Sequence, residues 1–285
     1  MKLTSKRELM ELFARHSVTP LRQLGQNFLV DQNMLERIVD CAALSSEDSC
    51  LEIGPGAGAL TRELCARTAK VLAVELDRGM VAVLGETLSG LENVTVVHGD
   101  ALKVDLGQLT TQHLDRPFKV VANLPYYIST AVLMRLLEIP SAQTISVLVQ
   151  KEVAQRMTAG PGGKDYGILS LAVQYYTQAK VVLRVPPTCF YPKPKVDSVV
   201  VRLERRDSGV FVRDEAFLFG VVKACFAQRR KTIANNLSAA FAKDIALASL
   251  EQADISPAER AERLDISQFA ALSNALLDVQ NNLQD

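Results

Sequence analysis

Between residues 50 and 158 the chain alternates short β-branched or apolar runs with stretches of helical periodicity. The runs fall at 50–53, 70–75, 94–98, 118–122 and 144–149. Helix-like stretches at 58–67, 78–89, 127–138 and 151–158 separate or follow them. This order predicts an α/β domain, a mostly parallel sheet covered by helices on both faces. Two later runs, AKVVLRV (179–185) and VDSVVVRLE (196–204), bring the expected strands to seven and are joined by the loop PPTCFYPKPK. No strand signal follows residue 204. Helical stretches near 214–226, 229–241 and 267–278 instead suggest a small all-α domain, dividing the chain into 1–205 and 206–285. Ahead of the alternation, 4–17 and 31–44 read as helices, the second with Asp31 as N-cap, and TPLRQLGQNFLV lies between them. GPGGKDYG (160–167) reads as a mobile loop.

Composition narrows the class. With 285 residues, 48% of them hydrophobic, the chain can bury a sizeable core. No run of 18 apolar residues suggests a membrane span, and charges interrupt any signal-like core in the first 30 residues. A cytoplasmic location is therefore expected. Five cysteines without a C-x-x-C pair, and three histidines, argue against zinc and for free thiols in a reducing compartment. No metal is expected. The 32 basic and 32 acidic residues cancel, but unevenly. Residues 1–26 carry +3, 27–150 carry −6, 151–204 carry +4 and 205–285 carry −1, and 216–243 holds five basic groups and no acid. Basic stretches flanking an acidic centre favour a polyanionic partner over a merely solvated face.

Residues 51–61 read LEIGPGAGALT, a strand running into a glycine turn and then a helix. Gly54 suits a backbone angle closed to other residues, and Gly56 and Gly58 allow a ligand and a helix to approach. The spacing also fits the dinucleotide G-x-G-x-x-G/A pattern, which leaves a nicotinamide- or flavin-dependent oxidoreductase open, as well as a tight turn with no ligand. KVLAVELD carries Glu75, 21 residues after Gly54, where a carboxylate accepts from both hydroxyls of an adenosine ribose. Asp77 is the rival acid, read as solvated or as a cap for the helix from Arg78. Asp100, at the end of the third run, is placed to accept from an adenine amino group, with the Ala101 N–H facing the ring. Glu52 points toward the same crevice. Together these describe an adenosyl site that needs no pyrophosphate.

Residues 120–130 read VVANLPYYIST. Asn123 offers a side-chain carbonyl, Leu124 a backbone carbonyl fixed by Pro125, and Tyr126 a flat face. Two acceptors aimed at an exocyclic amine hold both of its N–H groups while an aromatic ring stacks on the base. The alternative is an ordinary turn with Tyr126 in the core.

With LGQNFLVD (24–31), VELD (74–77), GDAL (99–102), FYPKPKVDS (190–198) and CFAQRRKTIANNL (225–237) added, the sequence resembles the bacterial 16S rRNA adenine N6,N6-dimethyltransferase family over nearly its whole length. The resemblance implies a Rossmann-like methyltransferase fold using S-adenosylmethionine (SAM), and dimethylation of two adjacent adenosines near the 3′ end of 16S rRNA. It places Asn27 and Leu29 at the methionine end of SAM with Gln26 nearby, and Gly54, Glu75, Asp100 and Asn123 around the rest; Gly56, Leu76 and Ala101 join them as cofactor-binding candidates. It pairs Phe190 with Tyr126 across the target base. Tyr127 departs from the family, many members of which carry a small polar residue there.

RNA-binding candidates are Lys193 and Lys195 beside Phe190, and Arg229, Arg230 and Lys231 in the helical domain. Lys6, Arg7, Arg15 and Arg22 are weaker ones. The expected partner is 16S rRNA within a small subunit or its precursor, bound by a monomer. Two further readings stand beside the main one: a 23S rRNA adenine methyltransferase of the macrolide-resistance type, and a noncatalytic ribosome-assembly factor.

Overall fold

A computed structural model describes residues 1–19 and 25–282, so Arg22 and Leu24 lie outside the described residues. The chain forms two compact units, Met1–Ala154 with Gln178–Arg205, and Gln155–Thr177 with Arg206–Asp285.

The first unit is built on a seven-stranded sheet. Its strands are β2 (Ser49–Ile53), β3 (Lys70–Glu75), β4 (Val94–His98), β5 (Phe118–Asn123), β6 (Ala142–Gln150), β7 (Thr177–Val185) and β9 (Ser198–Arg205), in the order β4-β3-β2-β5-β6-β9-β7. All seven fall on the runs read from the sequence. β2 pairs in parallel with β3 on one side and β5 on the other. The chain first builds outward from β2 to β4 and then restarts at β5. Open α/β sheets bind ligands at such a reversal, beyond the carboxyl ends of the strands. Strand β2 is buried at every position, whereas edge strand β4 is partly exposed. The β6–β9 pair is antiparallel, with Gln150 opposite Ser198. A separate two-stranded ladder joins β1 (Phe28–Leu29) to β8 (Phe190–Tyr191), pairing Phe28 with Tyr191 and Leu29 with Phe190. Two-residue strands carry no readable periodicity, so this ladder was not expected.

Helices α1 (Lys6–Arg15), α2 (Gln32–Asp40), α3 (Ala59–Cys65), α4 (Arg78–Thr87), α5 (Leu106–His113) and α6 (Ser129–Leu137) belong to this unit. Asp31 caps α2 by accepting from the Met34 N–H, and Asp77 caps α4 by accepting from the Gly79 N–H. Capping satisfies an amide that the helix leaves without a partner. Helix α1 sets Leu9, Leu12 and Phe13 into a core with Phe28, Ala57 and Met80. The unexpected α5 (LGQLTTQH) has weak apolar periodicity and depends on its Asp105 cap.

Helix α7 (Lys151–Thr158) runs from the end of β6 into the second unit, which holds α8 (Ile168–Tyr176), α9 (Glu215–Cys225), α10 (Ile233–Leu237), α11 (Lys243–Gln252) and α12 (Ile266–Asn282). Tyr166 and Leu171 share a core with Leu218, Val222, Phe269 and Leu276. The Tyr166 hydroxyl donates to the Leu264 carbonyl at 2.9 Å. The sequence places segment 155–177 within the first domain, 1–205. It packs with the C-terminal helices because the apolar face of α8 is buried in their core. Helix 229–241 also shortens to Ile233–Leu237: Thr232 caps it, and residues 226–231 form a turn. The side-chain amide of Asn236 donates to the Cys225 and Gln228 carbonyls and holds that turn.

Among the described residues no helix is long and apolar enough to cross a membrane.

Candidate active site

The strand ends at the reversal open into a crevice with about 990 Å3 of empty space, open solvent at its mouth included. Every residue assigned to the cofactor lines it: Gln26, Asn27 and Leu29 from the N-terminal segment, Gly54 and Gly56 from the glycine turn, Glu75 and Leu76 after β3, and Asp100 and Ala101 after β4. Asn123, Leu124, Pro125 and Tyr126 line it after β5, while Phe190, Lys193 and Lys195 are not part of the lining.

The glycine turn is tightly packed. Gly56 has a positive φ of 56°, and a Cβ there would lie 3.0 Å from the Phe28 ring. Only glycine relieves both demands. Its N–H donates to Glu75 Oε2 at 3.0 Å, and the Asp77 N–H donates to Oε1 at 2.8 Å. Glu75 therefore ties the turn to the end of β3 and lines the crevice. Burial raises its pKa, the backbone amides of Asp77, Gly56 and Leu76 partly offset this, and the Asp77 carboxylate adds to the rise. Asp77 is occupied elsewhere, capping α4 and accepting from Gln26 Nε2 at 3.1 Å.

Glu52 is fully buried, and its pKa is pushed up to about 8. Burial is the main cause. The Thr61 hydroxyl eases it slightly without forming a well-shaped hydrogen bond, and the nearby Glu75 carboxylate adds to it. Oε2 of Glu52 has no hydrogen-bond partner among the described residues, and the residue lines the crevice. Such a group is costly unless a ligand or a proton satisfies it. Asp100 accepts from the Leu102 N–H at 2.9 Å, and Lys103 stands 3.6 Å away. Leu76 is 40% exposed, an apolar surface at the crevice mouth.

The turn after β5 is held from both sides. Asn123 Nδ2 donates to the Asn27 carbonyl at 3.0 Å, and Asn27 Nδ2 donates to the Gly25 carbonyl at 2.9 Å. A carbonyl accepts only, so the Asn27 bond fixes the Asn123 amide and leaves Oδ1 as its acceptor. Leu124 is buried, and its N–H donates to the Leu148 carbonyl at 3.2 Å. Tyr126 is half-buried, not a core residue. Its hydroxyl shares a 2.6 Å hydrogen bond with Ser198 Oγ, a partner the sequence reading did not single out although Ser198 ends the FYPKPKVDS motif. Tyr127 is 51% exposed at the crevice mouth.

Phe190 departs from the expected base sandwich. It is 3% exposed and packs with Leu29, Leu35, Leu60 and Val200. Its ladder partner Leu29 draws it into that core. Lys193 and Lys195 are exposed in the loop that follows. In the helical unit Arg229, Arg230 and Lys231 are exposed on the turn before α10, with Arg229 Nη2 donating to the Tyr166 carbonyl at 3.5 Å.

The ribosomal RNA adenine dimethylase family matches residues 20–278. The chain belongs to this family. A Pelotomaculum thermopropionicum protein named ribosomal RNA small subunit methyltransferase A is 46% identical over 280 residues, covering 94% of this chain and 95% of the relative. A Streptococcus pneumoniae protein of the same name is 48% identical over 272 residues, covering 92% and 93%. Among solved structures, a dimethyladenosine transferase from Plasmodium falciparum is 28% identical with a TM-score of 0.72, covering 88% of this chain and 98% of that one. The 23S rRNA methyltransferase ErmE is 29% identical with a TM-score of 0.61, covering 87% and 99%. The family carries the Rossmann-like methyltransferase fold seen here, and membership sets aside the oxidoreductase reading of the glycine spacing.

Proposed function

We propose that this chain is a SAM-dependent rRNA methyltransferase that dimethylates N6 of two adjacent adenosines near the 3′ end of 16S rRNA. The fixed Asn123 amide carries this reading. With Nδ2 committed to the Asn27 carbonyl, Oδ1 is the acceptor beside the cofactor crevice, the role an adenine amine requires. The small-subunit relatives are 46% and 48% identical to this chain and the 23S enzyme 29%, which favours 16S over 23S rRNA as substrate.

The crevice residues suit SAM. Glu75 offers acceptors for the ribose hydroxyls, Leu76 and Ala101 an apolar bed for adenine, and Asp100 an acceptor for its amino group. Gln26, Asn27 and Leu29 border the end where the methionine part would lie, and Glu52 supplies a buried carboxyl for a cationic ligand. SAM, when bound, supplies a methyl group already activated on a sulfonium.

The chain's own residues then act on the target adenine. Asn123 Oδ1 and the Leu124 carbonyl accept from N6, favouring a more pyramidal nitrogen with its lone pair available. Tyr126 offers the stacking face. Holding the amine in line with the methyl donor provides the rate gain of proximity and orientation. The alkylated nitrogen is acidic and loses its proton to water. For the second transfer, the monomethylated base re-enters with its methyl turned away from the acceptors. Lys193 and Lys195 offer charge to rRNA phosphates beside an adenosine lifted out of its stack, and Arg229, Arg230 and Lys231 in the helical unit offer phosphate contacts of their own. The protein works as a cytoplasmic monomer on a small subunit or its precursor.

The test incubates the protein with SAM and unmodified small subunits, followed by mass spectrometry of the 16S rRNA. Two adjacent N6,N6-dimethyladenosines are expected. Modification of 23S rRNA alone would favour the macrolide-resistance reading, and unmodified rRNA a noncatalytic assembly factor.

A further inference from the structure

We infer that Ser198 is a positioning residue for methyl transfer, acting through the phenol of Tyr126. The inference rests on the methyltransferase reading above and concerns one side chain that this reading leaves without a role.

Ser198 is the first residue of β9 and is fully buried. Its Oγ and the Tyr126 hydroxyl share a hydrogen bond of 2.6 Å. The two residues are 72 positions apart in sequence and stand on different elements. Tyr126 lies on the turn after β5, and β6 separates β5 from β9 in the sheet. The backbone at Ser198 is fixed by the ladder, opposite Gln150, and the preceding Asp197 carbonyl accepts from the Lys151 N–H at 3.0 Å. The anchor therefore belongs to the sheet, not to the loop before it.

The anchor matters because of the shape of the Tyr126 side chain. A tyrosine on a turn has two free torsions. Pro125 restrains the backbone before it, but neither torsion. Tying the phenol to β9 fixes the far end of the ring and with it the first torsion, so the place the ring takes beside a base is set before the base arrives. Burial raises the phenol's pKa, so it stays a neutral hydrogen-bonding group. Without the anchor the ring samples other rotamers, and Asn123 Oδ1 and the stacking face no longer address one adenine together. Preorganisation of this kind is expressed in turnover more than in docking.

The experiment compares wild type, Ser198→Ala, Tyr126→Phe and the double variant in single-turnover methylation at saturating SAM and small subunit. Binding of SAM and of subunit is measured alongside. Wild type must dimethylate for the underlying reading to stand; its failure would sink that reading without reference to Ser198. Given wild-type activity, Ser198→Ala is expected to slow transfer about three- to tenfold, the effect of one neutral hydrogen bond. Both affinities should stay within about twofold of wild type. Tyr126→Phe keeps the ring, removes only the hydroxyl, and should match it. The double variant should be no slower than either single one, because both remove the same bond. Ser198→Thr, which retains a hydroxyl, should recover part of the rate. Ser198→Ala at the wild-type rate, or single-variant losses that multiply in the double variant, would overturn the inference. If Ser198→Ala fails to fold, Tyr126→Phe decides alone: a wild-type rate in that variant overturns it.

Discussion

At the scale of single residues, two buried carboxyls do different work. Glu75 receives two backbone amides and faces the crevice. Glu75→Ala should weaken SAM binding at least tenfold, since charge-assisted hydrogen bonds run to about 1.5–3 kcal/mol. It should also lower the melting temperature, because the Gly56 and Asp77 amides lose their acceptor. Calorimetric titration with a parallel melt checks both, and unchanged SAM affinity would remove Glu75 from the ribose. Glu52 instead titrates against the fold. Its carboxyl ionises near 4.5 when unfolded and near 8 when folded. Between those values the folded chain holds a proton that the unfolded chain has lost, so stability falls as pH rises and levels off above about 8. The slope from this group is at most about 1.4 kcal/mol per pH unit. Glu52→Gln should flatten it. Urea denaturation at several pH values across that window measures the slope, and a variant with the wild-type decline would place its origin elsewhere.

At the scale of elements, the β1–β8 ladder links two segments that the sequence reading treated separately, one for SAM and one for the base. Asn27 leads into β1, Phe28 packs on Gly56, and Leu29 pairs with Phe190. Phe190 is buried here, so Phe190→Ala should act first on stability. Losing a buried phenylalanine costs about 3–5 kcal/mol. Because Leu29 is the ladder partner, SAM affinity should fall as well. Chemical denaturation and a SAM titration test this. A variant of normal stability that fails only in methylation would restore Phe190 to the base pocket.

At the scale of the whole molecule, a formal charge of zero conceals an uneven distribution along the chain. The acidic stretch 27–150 contributes most of the crevice, and exposed basic side chains cluster near the tip of the Pro-Lys-Pro loop and on the α9–α10 turn. Replacing Arg229, Arg230 and Lys231 with alanine should weaken subunit binding and flatten its salt dependence. Each lost phosphate contact removes roughly 0.7 from the log–log slope for single-stranded RNA. SAM affinity should be unchanged. Binding isotherms at several salt concentrations decide it, and a wild-type slope would reduce this run to a solvated face.

Local sequence determined most of the sheet. Its seven strands are apolar runs whose periodicity needs no partner to be visible. The caps at Asp31 and Asp77 and the crevice residues at strand ends follow from short-range chemistry in the same way. Parallel strands direct their carboxyl ends to one side, so motifs placed there converge wherever the chain between them runs. What the tertiary structure decided are contacts between distant segments. The two-residue ladder has no period to read. Segment 155–177 joins the helical unit because a core made by residues beyond 206 buries it. Phe190 is inside, not at the crevice, because Leu29 pairs with it. The bond between Tyr126 and Ser198 exists because β6 and β9 pair antiparallel in one register, and a register is a property of two strands together.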